Sequence, residues 1–200
     1  MSIAMTAPVT LEEFLRLAAE APEGMTLELI DGEIVERPVT VRRPSHTRSS
    51  ARITQVLLNW LDQKTDVVGT VDVGEVRCRL QRDPETIVGI DIGFWEGLHF
   101  ANLPASVALY DGPPVVAIEV LSPSDTHEGV TEKLLLYLSH GVPQVWIVDP
   151  DLETVTIHRP EADPQFFSSR QTLTAEPELP GFSVPVAQLF RSRSPSTATR

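Results

Sequence analysis

Apolar residues recur along this chain at two spacings, and the switches between them divide it into elements. Leu11, Phe14, Leu15 and Ala18 share one helical face. Thr10 stands where an N-cap is expected, and Glu13 three residues on completes a capping box. Pro22 and Gly24 end that helix. Leu27-Glu28-Leu29-Ile30, Asp31-Gly32 and Glu33-Ile34-Val35-Glu36 form a β-hairpin signal, because Asp-Gly suits a two-residue type I′ turn. A second helix is expected over 45–64, with Ser45 as its cap and Ile53, Val56, Leu57, Trp60 and Leu61 at helical spacing. Three strands follow, over 67–73, 75–81 and 86–95, the last two joined by Arg82-Asp83-Pro84-Glu85. Residues 96–112 predict an irregular loop at the edge of a cleft.

The run 114–121 is almost wholly aliphatic and β-branched, as a strand buried on both faces requires. A helix over 126–139 is closed by Gly141, with Pro143 beyond. A buried strand over 144–149 turns at Pro150-Asp151 into a last pair of strands that starts at 154–159. Residues 181–190 are a weaker apolar segment. Residues 1–9 and 191–200 are expected to be disordered, leaving 10–190 as one domain. The order of elements predicts an α/β (α+β) fold, a mixed central β-sheet flanked by helices with an N-terminal helix and β-hairpin.

Composition narrows the function. The 200 residues are 42% hydrophobic and 22% charged, ordinary values for a globular chain. No apolar run approaches the roughly 18–20 residues that cross a bilayer, and the first ten residues lack the pattern of a secretory signal. A single cysteine, Cys78, excludes an internal disulfide and a cysteine-based zinc site, and it fits a plain strand residue. These features point to a cytoplasmic protein without a membrane partner. The net charge of −12 argues against a protein that coats nucleic acid electrostatically. Against that background, Arg37 to Trp60 carries Arg37, Arg42, Arg43, Arg48, Arg52 and His46 and no acid. A solvated helix face and a local anion-binding surface both fit this asymmetry.

Candidate chemistry centres on Asp91, Glu119 and Lys133. Asp91 is the one carboxylate in Val88-Gly-Ile-Asp-Ile-Gly-Phe-Trp, and Glu119 the one in 114–121. A carboxylate inside an apolar strand is costly to ionise unless a cation, a donor or water meets it. If the two strands are neighbours, both carboxylates converge at one end of the sheet. Such a pair suits a hard, oxygen-preferring ion, Mg²⁺ or Mn²⁺. Lys133 lies on the following helix, and Tyr137, four residues on, shares its face.

Ile90-Asp91, Ala117-Ile118-Glu119-Val120-Leu121-Ser122-Pro123-Ser124, Glu132-Lys133 with Tyr137, and Gly141-Val142-Pro143-Gln144-Val145-Trp146-Ile147-Val148-Asp149-Pro150 together resemble the Uma2 family, within the PD-(D/E)XK nuclease superfamily. Leu27-Glu28-Leu29-Ile30-Asp31-Gly32-Glu33 and His46 before an amphipathic helix extend the resemblance over roughly 10 to 190. It implies a restriction-endonuclease-like core and a metal-dependent endonuclease acting on DNA. In that reading Asp91, Glu119 and the Val120 carbonyl bind Mg²⁺ or Mn²⁺, and Lys133 replaces the superfamily's strand lysine, since Leu121 stands two residues after Glu119. Glu28, His46 and Tyr137 would support the site. Glu28 fits equally a hairpin residue paired with an arginine, and His46 a helix cap. A homodimer is implied by analogy alone. Gly129 and Gln144 stand where relatives often carry Asp and Glu. With the acidic net charge and the missing strand lysine, these departures leave a second reading open: a nuclease-fold protein that has lost catalysis and binds nucleic acid or protein.

Overall fold

The computed structural model describes residues 8–39 and 42–192. Thr10 caps α1 (Leu11–Ala19), its hydroxyl accepting from the Glu13 amide, and Phe14 is buried from that helix. The hairpin is β1 (Met25–Ile30) and β2 (Glu33–Pro38), in register from Met25↔Pro38 to Ile30↔Glu33. Asp31 and Gly32 both take positive φ, 51° and 79°, as a type I′ turn demands. Helix α2 (Pro44–Leu61) starts one residue earlier than expected. Pro44 takes the first helical position, which needs no N–H donor, so Arg43 is the N-cap and Ser45 lies inside the first turn.

Another difference concerns the strands after α2. The expected pair 67–73 and 75–81 is one long strand, β3 (Gly69–Arg82), which pairs antiparallel with β4 (Glu85–Glu96). Gly74 and Glu75, at φ 106° and 53°, form a β-bulge rather than a break. Their neighbours pair as Val73↔Ile92 and Val76↔Ile90, so both bulge residues oppose Asp91 alone. The expected loop over 96–112 contains a single-turn helix, α3 (Leu98–Ala101), and a two-residue strand, β5 (Tyr110–Asp111), parallel to β3.

Strand β6 (Val116–Val120) leads into α4 (His127–Ser139), capped by the Thr126 hydroxyl on the Gly129 amide. Strand β7 (Gln144–Asp149) returns parallel to β6, and β8 (Thr154–His158) and β9 (Gln165–Ser168) extend the sheet antiparallel. Nine strands form one mixed sheet, with β3 and β5 off the path β2-β1-β4-β6-β7-β8-β9. The fold is mixed α+β, with four helices among the described residues. None is long and apolar enough to cross a membrane.

Because β3 fills one edge of β4, β1 and β6 must share the other. Strand β1 meets it at Leu29↔Ile87, and β6 at Ile92↔Ile118 through Phe94↔Val116. The sheet therefore forks at 88–91. One face of the sheet is packed by Ile53, Leu57 and Trp60 of α2, against Phe94, Ile118 and Trp146. The chain's last described segment closes this core. Strands β10 (Thr172–Thr174) and β11 (Ser183–Pro185) pair, and the 3₁₀ turn Val186–Leu189 follows. They add Leu173, Phe182, Val184 and Leu189, and the Pro180 carbonyl accepts from the Trp60 indole. The weak apolar segment at 181–190 is thus core. Tyr137, Val142 and Val145 pack the other face, with Val88, Ile90 and Cys78. Burial pushes the Cys78 thiol up to about 12, leaving it inert as a nucleophile.

Gly93 has no room for a side chain, because a Cβ there would stand 2.3 Å from the Trp95 ring. Gly93→Ala is expected to cost about 1–3 kcal/mol through overpacking, measured by urea unfolding.

Candidate functional site

The fork leaves backbone groups of β4 and β6 without strand partners, and side chains meet them. The Gly89 amide donates to Glu28 Oε1 at 3.3 Å, and the Gly89 carbonyl accepts from the Tyr137 hydroxyl at 3.2 Å. The Val120 amide donates to Asp91 Oδ2 at 2.9 Å. A buried peptide group left unpaired costs about 1–3 kcal/mol, so these residues have a structural role independent of any chemistry.

The register of β4 and β6 brings Asp91 level with Glu119, one step from the pair Ile92↔Ile118 towards the fork. Ile90 belongs to the core under α4 and Ile92 to the core under α2. The switch of face falls at Asp91, opposite the bulge, as the added local twist of a bulge produces. Glu119 faces α4, with Oε2 2.9 Å from Lys133 Nζ and Oε1 accepting from the Tyr137 hydroxyl at 2.6 Å. Lys133 and Tyr137 lie one turn apart on α4 and grip one carboxylate.

On the other side, His46 projects from the first turn of α2 and is 6% exposed. Its Nε2 lies 3.4 Å from Asp91 Oδ2, yet neither ring nitrogen completes a hydrogen bond among the described residues. His46 is not a cap, since Arg43 holds that place. Arg42 reaches Asp91 Oδ1 at 3.5 Å and also contacts Glu75 of the bulge. Glu28 touches neither Asp91 nor Glu119. It pairs with Arg37 across the hairpin at 2.9 Å and joins the cluster through Gly89.

Burial would raise the Asp91 carboxyl, but His46, the Val120 amide, Lys133 and Arg42 outweigh it and hold it below the usual range. Burial dominates at Glu119 and, with Asp91 adding to it and Lys133 and Tyr137 opposing, pushes its carboxyl up to about 7. Lys133 loses by burial and gains more from Glu119, so it stays charged. Two adjacent carboxylates therefore differ in their hold on a proton, the pattern that assigns separate tasks to paired acids.

Sequence reasoning missed Arg42 and Glu75. The acid-free run around Arg42 and the Gly74-Glu75 interruption of a strand pattern were the available signals. Gln144 is remote in function: it is buried on β7, where it donates to Glu178 and accepts from the Trp146 indole.

Among the described residues no three His, Cys, Asp or Glu side chains converge as a ready metal cage. The donors present still suit a cation that keeps several waters. They are carboxylate oxygens, one strongly ionised, beside a histidine with unused nitrogens.

Removing Lys133 leaves the Glu119 carboxylate without its charge partner, so Lys133→Ala is expected to cost about 3 kcal/mol. Because that carboxyl ionises near 7, the loss should grow as pH rises through that value. Denaturant titrations across pH, with Tyr137→Phe as the milder comparison at about 1 kcal/mol, measure both.

The model of the Uma2 family, described as "Putative restriction endonuclease", matches residues 11–187. The crystal structure, at 1.96 Å, of a protein titled a putative nuclease belonging to DUF820, from Anabaena variabilis ATCC 29413, is similar to this chain. The two share 23% identity with a TM-score of 0.71, over 92% of this chain and 98% of that one. No curated protein matches.

Proposed function

This chain belongs to the Uma2 family, and from that premise we propose that it is a metal-dependent endonuclease hydrolysing DNA phosphodiester bonds at the Asp91–Glu119 site. The observation that carries the reading is the meeting of two strand carboxylates at the sheet fork, with Lys133 held against one of them.

Asp91 and Glu119 would hold Mg²⁺ or Mn²⁺, with the Val120 carbonyl as a further oxygen donor. When bound, such an ion activates water and stabilises charge on phosphoryl oxygens. Asp91 suits a ligand because its neighbours keep it ionised. The Tyr137 hydroxyl fixes the Glu119 carboxylate in one orientation. Lys133 keeps its positive charge at Glu119, where it can also oppose negative charge building on the substrate phosphate. Arg42, close to Asp91 and Glu75, neutralises the carboxylates in the protein alone. With an ion held by those carboxylates, the Arg42 guanidinium would be free to bond a phosphate oxygen. His46 offers a buried nitrogen to the same anion. Hydrolysis adds water across phosphorus and the leaving sugar oxygen, and the oxygen departs with a proton. A homodimer is part of the proposal only by analogy with such nucleases.

One observation favours a second reading, a nuclease fold that binds without cutting: both Glu119 oxygens already have partners, and no three ligating side chains converge among the described residues. Plasmid cleavage with Mg²⁺ or Mn²⁺ separates the two. Cleavage that falls by at least about 10²-fold in Asp91→Asn, Glu119→Gln and Lys133→Ala supports the endonuclease, and its absence in the wild type supports the binding module. Calorimetry with Mn²⁺ adds an independent readout. Arg42→Ala should bind the ion more tightly by removing a competing charge, and Glu119→Gln more weakly.

A further inference from the structure

Six of the twelve arginines among the described residues are committed to acids: Arg16 to Glu13 and Glu20, Arg37 to Glu28, Arg42 to Glu75 and Asp91, Arg79 and Arg82 to Asp111, Arg159 to Glu178. Two of the remaining six lie together on the outer face of α2. Arg48 and Arg52 stand four residues apart, one turn, with no acid within ion-pair distance among the described residues. Arg52 bonds only to the neutral Gln55, at 2.9 Å. No Asp or Glu occurs from 37 to 61. Such an exclusion keeps two guanidinium groups unneutralised in a chain whose net charge is −12.

These arginines line an open groove of about 610 Å³, with Gln55, Leu58 and Val73 beside them and Asp62 at the far end of the helix. The groove and the candidate site are built on the same two elements, α2 and β3, which bring His46 and Glu75 to the site. Val73 immediately precedes the bulge, Glu75 of the bulge contacts Arg42, and Arg42 reaches Asp91. At the site end, the first turn of α2 has no side-chain cap among the described residues, so the Ser45 and His46 amides can meet an anion. Unneutralised guanidinium groups with neutral amide donors beside them are the chemistry of phosphate and sugar contacts, which position a strand without reading its bases. An acidic protein partner would fit the charge, but it would not account for the same helix carrying His46 against Asp91.

We infer that the groove between α2 and β3 is the track for the DNA backbone, in which Arg48 and Arg52 hold phosphates flanking the one presented at Asp91 and Glu119. The inference rests on the endonuclease reading and adds the surface, the residues and the mode of contact. It makes DNA binding by this chain largely independent of sequence, and it makes Arg48 and Arg52 positioning residues rather than catalytic ones.

The test is binding to a short DNA duplex in EDTA, so that no strand is cut, over a range of salt concentrations. Arg48→Ala/Arg52→Ala should bind more weakly, with the slope of log K against log salt shallower by about 1.8, the value for two lost phosphate contacts. Arg16→Ala/Arg82→Ala removes the same charge from exposed positions elsewhere and should leave the slope unchanged. Both double variants should unfold at the wild-type urea midpoint, and Arg48→Ala/Arg52→Ala should keep the wild-type Mn²⁺ affinity. Equal slopes in the two double variants overturn the inference, as does an RNA duplex bound more tightly than DNA, or a wild type that cuts plasmid with Mg²⁺ yet binds no duplex in EDTA. A wild type that neither binds nor cuts overturns the endonuclease reading with it.

Discussion

A β-strand has two edges, and β4 is asked to serve three neighbours. With β3 occupying one edge, the divergence of β1 and β6 along the other opens a short gap at 88–91, deep between two packed faces. Peptide groups cannot be left unpaired there. The three side chains that meet this demand are two carboxylates and a phenol: Glu28, Asp91 and Tyr137. The fork thus explains why acids are tolerated in strands otherwise made of Ile, Val and Phe. Each is first a substitute for a missing strand and only then a group with chemistry to offer.

The bulge supplies the other half of the geometry. Two residues of β3 against one of β4 rotate the strand locally, so that Asp91 leaves the α4 side on which Glu119 sits and comes within reach of His46 and Arg42 on the α2 side. Without it, Asp91 would lie buried on one face beside a second acid, with a single lysine to neutralise both. With it, Glu119 keeps Lys133 of α4, and Asp91 gains Arg42 from the segment that leads into α2. The different proton affinities of the pair follow from this division.

How much of this was legible in the sequence depended on how local the cause was. The hairpin, the α1 cap and the β6–α4–β7 unit are written in short-range chemistry, such as Asp-Gly, Thr10 with Glu13, and Gly141. Glu119, Lys133 and Tyr137 could be placed together because one strand and the helix after it carry all three. Asp91 needed only the guess that β4 and β6 are neighbours. The bulge was invisible because a Gly that interrupts alternation looks the same whether the strand ends or merely buckles. Arg42 and Glu75 come together only through that buckle, over a separation of 33 residues. The 181–190 segment looked weak because the aromatic contacts that bury it are long-range, to Trp60 of α2 and Trp146 of β7.

That last segment has a consequence for the order in which the molecule is made. Trp60, Phe94 and Trp146 lie on a face completed by Phe182, Val184 and Leu189. During synthesis from the N-terminus, the candidate site's strands and α4 emerge well before the lid of the opposite core. The growing chain therefore carries an uncovered aromatic surface until residues 182–189 have followed it out, a window in which that surface is open to aggregation.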